Sequence, residues 1–313
     1  MVVERPDLER WLAELRAGCP DARAGLFGPG SSMWTVSRES VLFLGGGRAA
    51  LLQLAHPYVA TAVKHFSTSE KDLAGRFQRT FLHVFAMVFG DLDMALGSAR
   101  RVFGLHKTIG GALEEPHGHM PRGHRYEAND EAALMWVHAT LVDTAVLMYE
   151  RCVKRLSDAE REAHYQDTKT FARLFGISDR VLPADWPAFR RYFDGVVASD
   201  LLTVGEAGRR MGTFLLTPPN AAVRPMWQWY ASVTAGLLPE RVREGFGMRW
   251  GRRDRALSAA TLATLSATWR LLPGRVRYVP AYLDALRRMR GETTRDPIGQ
   301  VAEKIVLTAL RQE

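Results

Sequence analysis

No stretch limits the fold as much as LMWVHATLVDT, residues 134–144. It belongs to a segment that begins after Asn129, Asp130 and Glu131 and stays apolar to about Cys152. Asp130 is the expected N-cap, because its carboxylate can accept from the unpaired amides of a first helical turn, and Glu131 suits the positive end of the dipole. On a helix, His138 shares a stripe with Leu134, Leu141, Val142 and Ala145. Trp136, Val137, Val146, Leu147 and Met148 fill the other faces. A helix that is apolar all round must be wrapped by its neighbours, so this segment is expected to be the central rod of its fold.

A buried imidazole needs a partner. One reading is a neutral core histidine bonded to a main-chain carbonyl; the other is a metal or haem ligand. Asp143, five residues on, points about 140° away around the helix and cannot orient the ring. The carbonyl of Leu134 can. A ring bonded there through Nδ1 presents Nε2 outward, which suits both readings.

Helical periodicity recurs along the rest of the chain, and strand periodicity is nearly absent. After an amphipathic opening helix (about 6–17) and the loop FGPGSS, a helix is expected from Ser37 or Arg38 through LLQLAHPYVATAVKHF. Further helices are read at 71–89, 91–108, 157–175 (capped by Ser157 with Glu160 three residues on), 185–199, 203–215, 222–235, 238–247, 257–270 and 278–290. Pro183, Pro187, Pro218, Pro219, Pro239 and Pro273 punctuate them. The expected fold class is all-α, one large helical domain: an N-terminal helix and loop over 1–27, the body over 28–290, and a helical tail over 291–313.

The net charge of +8 does not imply nucleic acid as a partner. Only six of the 42 basic residues are lysines, no basic run is interleaved with aromatics, and RWGRRDR (249–255) reads as a solvated loop. A peripheral contact with an anionic membrane surface stays open. No membrane span is expected, since the most apolar window carries His138 and Asp143. Cys19 and Cys152 form no disulfide framework or metal pattern. The opening MVVERPDLERWLAELRAG lacks the pattern of a secretory peptide, so a cytoplasmic location is expected.

Gly45, Gly47 and Ala50 in VLFLGGGRAALLQL match a dinucleotide-binding spacing. Val63, Lys64 and His65 stand where a ribose-binding acid should be, and no alternating strands and helices follow. Close helix packing at glycine is the better reading.

The second informative stretch is GSARRVFGLHKTIGG, residues 97–111. Gly110 and Gly111 can end its helix, and His106, Lys107 and Thr108 fall in the last turn. Gly104 shares a face with Lys107 and Thr108, with Arg100 and Arg101 further back on it. Such a face is either a helix C-terminus dressed with cations or part of a site. The loop EEPHGHMPRGH adds His117, His119 and His124, a weak metal pattern. His56, His65, His83 and His164 read as packing or helix-end residues.

Four stretches together resemble the MpaB-type and rubber oxygenase family, which includes the latex clearing proteins. They are GGGRAALLQLAHPYVA (45–60), RRVFGLH with its following glycines, RYEANDEAALMWVHATLVD (125–143) and LLPERVREGFGMRW (237–250). The similarity runs from about Gly28 to Tyr282, and the stretch joining Tyr126, Ala128, Asn129 and Asp130 to Trp136, Val137 and His138 is its most specific part.

The resemblance implies a globin-like helical core holding haem b, with His138 as proximal iron ligand and dioxygen as co-substrate. On the distal side it implies Lys107, able to occupy the sixth iron position, Thr108, and Arg101 or its neighbour Arg100. Gly104 and His106 are expected to border the cofactor. The implied activity is oxidative cleavage of a carbon–carbon double bond in an isoprenoid. FLHVFAMVFG, however, has no carboxylate where rubber-cleaving members carry a glutamate, the nearest being Asp91 and Asp93. With no secretory pattern, a small intracellular terpenoid or lipid is the expected substrate. A haem peroxidase or sensor, and a haem-free carrier of apolar ligands, are the alternatives.

Overall fold

The computed structural model describes residues 1–292, except 67–69, 119 and 219, with main chain only at 66 and 70–79. Among the described residues there are fifteen α-helices and one short antiparallel strand pair. The central rod is α7 (Glu131–Cys152), capped as expected by Asp130, whose side chain accepts from the amides of Ala132 and Ala133. Leu134, Met135, Trp136, Ala139, Val142, Val146 and Met148 are all buried, so no face of the rod is given to solvent. By length and composition α7 alone among the described residues could cross a membrane, and 72% of its most apolar window is buried inside the fold.

The helices that wrap the rod explain its composition. α2 (Ser32–Ser37), α3 (Gly46–Leu54), α8 (Asp158–Arg173), α9 (Trp186–Ala198) and α13 (Arg252–Thr268) all pack on α7. Trp136 buries its ring and donates Nε1–H to the Leu52 carbonyl of α3 at 3.0 Å, so the indole is dry without losing its hydrogen bond. α8 begins at the expected capping box, with Ser157 and Glu160 bonding each other's main chain. α1 (Arg5–Ala17) buries Leu8 and Leu12 in the main core, joining the N-terminal helix to the body.

The helix read from residue 38 to 66 is broken in the structure. VLFL lies in a tight 3-10 segment, Ser40–Gly45, followed by α3, and the chain then turns at Ala55–His56 before α4 (Pro57–Phe66). Pro57 is the cause: it has no N–H to donate, its ring disfavours helical geometry at His56, and it suits the first position of the new helix.

The glycines before α3 serve packing. A Cβ on Gly45 would stand 2.6 Å from Thr144 Cγ2 and 2.7 Å from Met148 Cγ, both on α7. One on Gly47 would lie 2.6 Å from Thr234 Oγ1 on α11 (Arg224–Leu237), and the Gly47 amide donates to Tyr230 Oη at 2.7 Å. The glycine spacing thus seats one turn of chain between two helices.

α5 (Glu70–Phe89) and α6 (Leu92–His106) form an antiparallel pair at one side. From α6 the chain passes through β1 (Gly110–Ala112), a loop, and β2 (Arg125–Glu127) into α7. α4, α10 (Glu206–Leu216) and this strand pair complete the wall of a cavity beside the rod.

Candidate functional site

His138 projects from the middle of α7 into that cavity. Its side chain is buried, and its ring stacks on Phe171 of α8 with centroids 6.2 Å apart and planes 28° apart. Neither Nδ1 nor Nε2 has a hydrogen-bond partner, so the bond that the Leu134 carbonyl could offer is not made. Burial, with a smaller contribution from His164, pushes the ring's pKa down to about 3. At neutral pH the imidazole is therefore uncharged and keeps a lone pair, the form that binds a metal. An unsatisfied buried polar group costs about 1–3 kcal/mol.

The cavity measures about 260 Å³. Its walls are mainly aliphatic and aromatic: Leu54 of α3, Val59 and Val63 of α4, Leu141 of α7, Phe175 beyond α8, and Met211 and Leu215 of α10. Tyr58, His106, Tyr126 and Gln53 supply polar groups. Such a chamber, apolar with a few convergent polar atoms, is the usual form of a small-molecule site.

Of the set expected on α6, only His106 lines this cavity. Lys107 is exposed and pairs with Glu4 at 3.0 Å. Thr108 is exposed and donates to the Leu105 carbonyl at 2.7 Å. Arg100 is exposed and forks onto Glu9 of α1, while exposed Arg101 reaches Ser98 Oγ at 3.3 Å. Gly104 faces open space, with nothing within 4 Å of a Cβ placed there. These five residues share a face, as their spacing requires, and it is the outer one; the inner face of α6 is taken by Leu92, Ala95, Leu96, Ala99 and Phe103.

Two other buried features lie near the rod; the packing role read for His164 was legible, whereas the partners of Arg48 were not. His164, on α8, is wholly buried with Nδ1 unpartnered, and burial lowers its pKa to about 4 against the pull of Asp167 and the Ser32 main chain. Its periodicity on α8 marks an inward face, the only signal available. Arg48 is buried at the α3–α7 contact, donating to Asp143, Thr144 and the Leu237 carbonyl at 2.5, 2.6 and 2.8 Å. Asp143 also binds Arg190 of α9, so it closes a three-helix network instead of serving His138.

In the histidine loop, His117 bonds the Leu201 carbonyl at 3.1 Å and His124 bonds Tyr58 Oη at 2.8 Å, while His119 lies outside the described residues. No group of three or more His, Cys, Asp or Glu side chains suited to a metal ion occurs among the described residues. Buried Cys152 is pushed up to about 11, as a structural thiol.

A central apolar helix presents one neutral imidazole to a mainly apolar cavity beside it, in an all-helical body. Residues 33–270 match the family described as ER-bound oxygenase mpaB/B'/rubber oxygenase, catalytic domain, and the chain belongs to that oxygenase family. It is also 27% identical over 154 residues to the uncharacterized protein Mb2261 of Mycobacterium bovis and, equally, to the uncharacterized protein Rv2237 of Mycobacterium tuberculosis. Each match takes in 48% of this chain and 59% of the relative, so the chain spans little more than half the length of these curated relatives. No solved structure matches the chain.

Proposed function

We propose that the protein is a haem b-dependent oxygenase that uses dioxygen to cleave a carbon–carbon double bond in a small isoprenoid or similar apolar molecule. The observation that carries this reading is His138: fully buried, neutral, unpartnered at both nitrogens, and set in the wall of an apolar cavity. These residues fit a haem. A porphyrin brings its own nitrogen ligands, so the protein would need to offer one imidazole and no cluster of side chains. Ligation would satisfy one of the orphaned nitrogens.

Bound haem would supply the oxygen chemistry, with the chain setting ligation, polarity and access. His138 would hold the haem iron, and Phe171 stacked on its ring restricts the imidazole's rotation. Leu54, Val63, Leu141 and Met211 exclude water and select an apolar substrate. Seating a tetrapyrrole would require this wall to open further. His106 is the second imidazole in the chamber's wall.

The test is the visible spectrum of the purified protein, with and without added haemin. A Soret band that is absent from His138→Ala supports the assignment. Oxygen uptake with short isoprenoids then separates an oxygenase from a haem sensor or peroxidase. A second reading, a haem-free carrier of apolar ligands, draws on the outward placement of Lys107, Thr108 and Arg101. Colourless protein that leaves the haemin spectrum unchanged would establish it over the first.

A further inference from the structure

Tyr126 stands in the cavity wall and is almost wholly buried. Its ring is clamped on two sides. Tyr58 stacks on it at 5.8 Å with 28° between planes, and a Cβ on Gly111, its partner across the β1–β2 pair, would lie 3.3 Å from the phenol oxygen. The hydroxyl meets His65 Nδ1 at 3.3 Å. The other nitrogen of that ring, Nε2, meets Glu114 Oε1 at 2.6 Å. Lys64 binds the second carboxylate oxygen. The line runs inward, because the Glu114 side chain is 50% exposed, that of His65 31%, and the whole of Tyr126 3%.

We propose that Glu114, His65 and Tyr126 form a proton relay between solvent and the cavity of His138, in which Tyr126 exchanges the proton with the reactant. The arrangement has the logic of a hydroxyl, histidine and carboxylate triad: the acid fixes the imidazole tautomer, and the imidazole serves the hydroxyl. Hydrogen bonds from Lys64 and then His65 hold the Glu114 carboxyl down to about 2, so it is an acceptor at neutral pH. Burial, then Glu114, raises the Tyr126 phenol above its ordinary value, so it is a protonated donor.

For delivery, His65 protonated from solvent passes its Nδ1 proton to Tyr126 Oη as the phenol releases its own to the reactant. One N–H and one O–H bond break, two bonds to hydrogen form, one positive charge moves inward, and no electrons change hands. The same path reversed removes a proton. Tyr58 and His124 make a similar contact nearby, but among the described residues no carboxylate orients His124.

The use of the relay in catalysis rests on the proposed haem function; its geometry does not, and two measurements keep these apart. The first is nitrogen NMR of haem-free protein carrying isotope-labelled histidine. His65 is expected as the Nε2–H tautomer with Nδ1 accepting a hydrogen bond; Tyr126→Phe should shift the Nδ1 resonance toward that of an unbonded acceptor, and Glu114→Gln should mix the tautomers. An Nδ1 resonance unmoved by Tyr126→Phe overturns the relay.

The second uses ferric, haem-loaded protein with cyanide as probe. Cyanide enters as the neutral acid and must give up its proton, so association is expected to slow roughly 10²-fold in Tyr126→Phe and in His65→Gly, with added imidazole restoring only the latter. Native rates in both variants would also overturn the relay. Should the native protein take up no haem, the proposed function falls, and the NMR comparison alone decides whether the relay exists.

Discussion

Arg48 Nη2 and Asp143 Oδ2 meet at 2.5 Å in the α3–α7 contact, with side-chain exposures of only 5% and 7%. Two charges this far from water stabilise little as a pair, yet removing one strands the other. Asp143→Leu is therefore expected to lose about 3–5 kcal/mol in urea unfolding. The double variant Arg48→Met with Asp143→Leu should recover much of that loss. Finding the double variant as unstable as the two single losses summed would show that the charges do not act as a pair.

His138→Leu separates function from stability. An unsatisfied imidazole is replaced by a side chain that its apolar surroundings accept, so the haem-free protein is expected to be equally stable or up to about 1–3 kcal/mol more stable. Haem retention should vanish. A large fall in melting temperature would mean that the ring has a structural partner instead.

Three buried histidines predict a particular acid response. His138 and His56 are lowered to about 3 and His164 to about 4, in each case mainly by burial. A depressed folded-state pKa means that the unfolded chain takes up the proton first. Their contribution is whole above the ordinary value of 6.5 and is lost as pH falls from there toward 3–4. Each contributes a slope of about 1.4 kcal/mol per pH unit within that window. Stability that stays flat across the upper part of it, before carboxylates titrate, would contradict the burial of these rings.

Two glycines should respond in opposite directions. Gly45→Ala presses a methyl group into Thr144 and Met148 and is expected to cost about 1–3 kcal/mol through overpacking. Gly104→Ala meets nothing and, inside α6, should gain up to about 1 kcal/mol from helix propensity. Thermal melts check both. A destabilised Gly104→Ala would indicate that something packs on that face.

Lys107 and His106 adjoin in sequence and part in space. Lys107→Ala removes an exposed ion pair with Glu4 and should change stability by at most about 1 kcal/mol while leaving the loaded spectrum unaltered. His106→Leu alters the cavity wall and should shift that spectrum. The resemblance alone implies the reverse for Lys107. A changed spectrum in Lys107→Ala would place the lysine at the iron in the loaded state.

The helical class, the central rod, its Asp130 cap and the capping box of α8 were readable because each depends on residues within a few positions of one another. The break before Pro57 was also local, but continuous apolar periodicity on either side masked it. Inwardness on α6 was harder. Its cationic face and its apolar face are both regular, and only the neighbour that covers one of them shows which turns to the core. Residues 293–313, read as a helical tail, lie outside the described part.

From the sequence alone came a rod too apolar to face water and a histidine on it that had to be accounted for, because burial follows from periodicity. Which nitrogens find partners, which of six neighbouring residues at the end of α6 and just beyond it reaches the cavity, and how Glu114, His65 and Tyr126 fall into line were decided by the tertiary structure. Those are distances between residues far apart in the chain, set by how helices cross and where strands register, and no spacing within a single element encodes them.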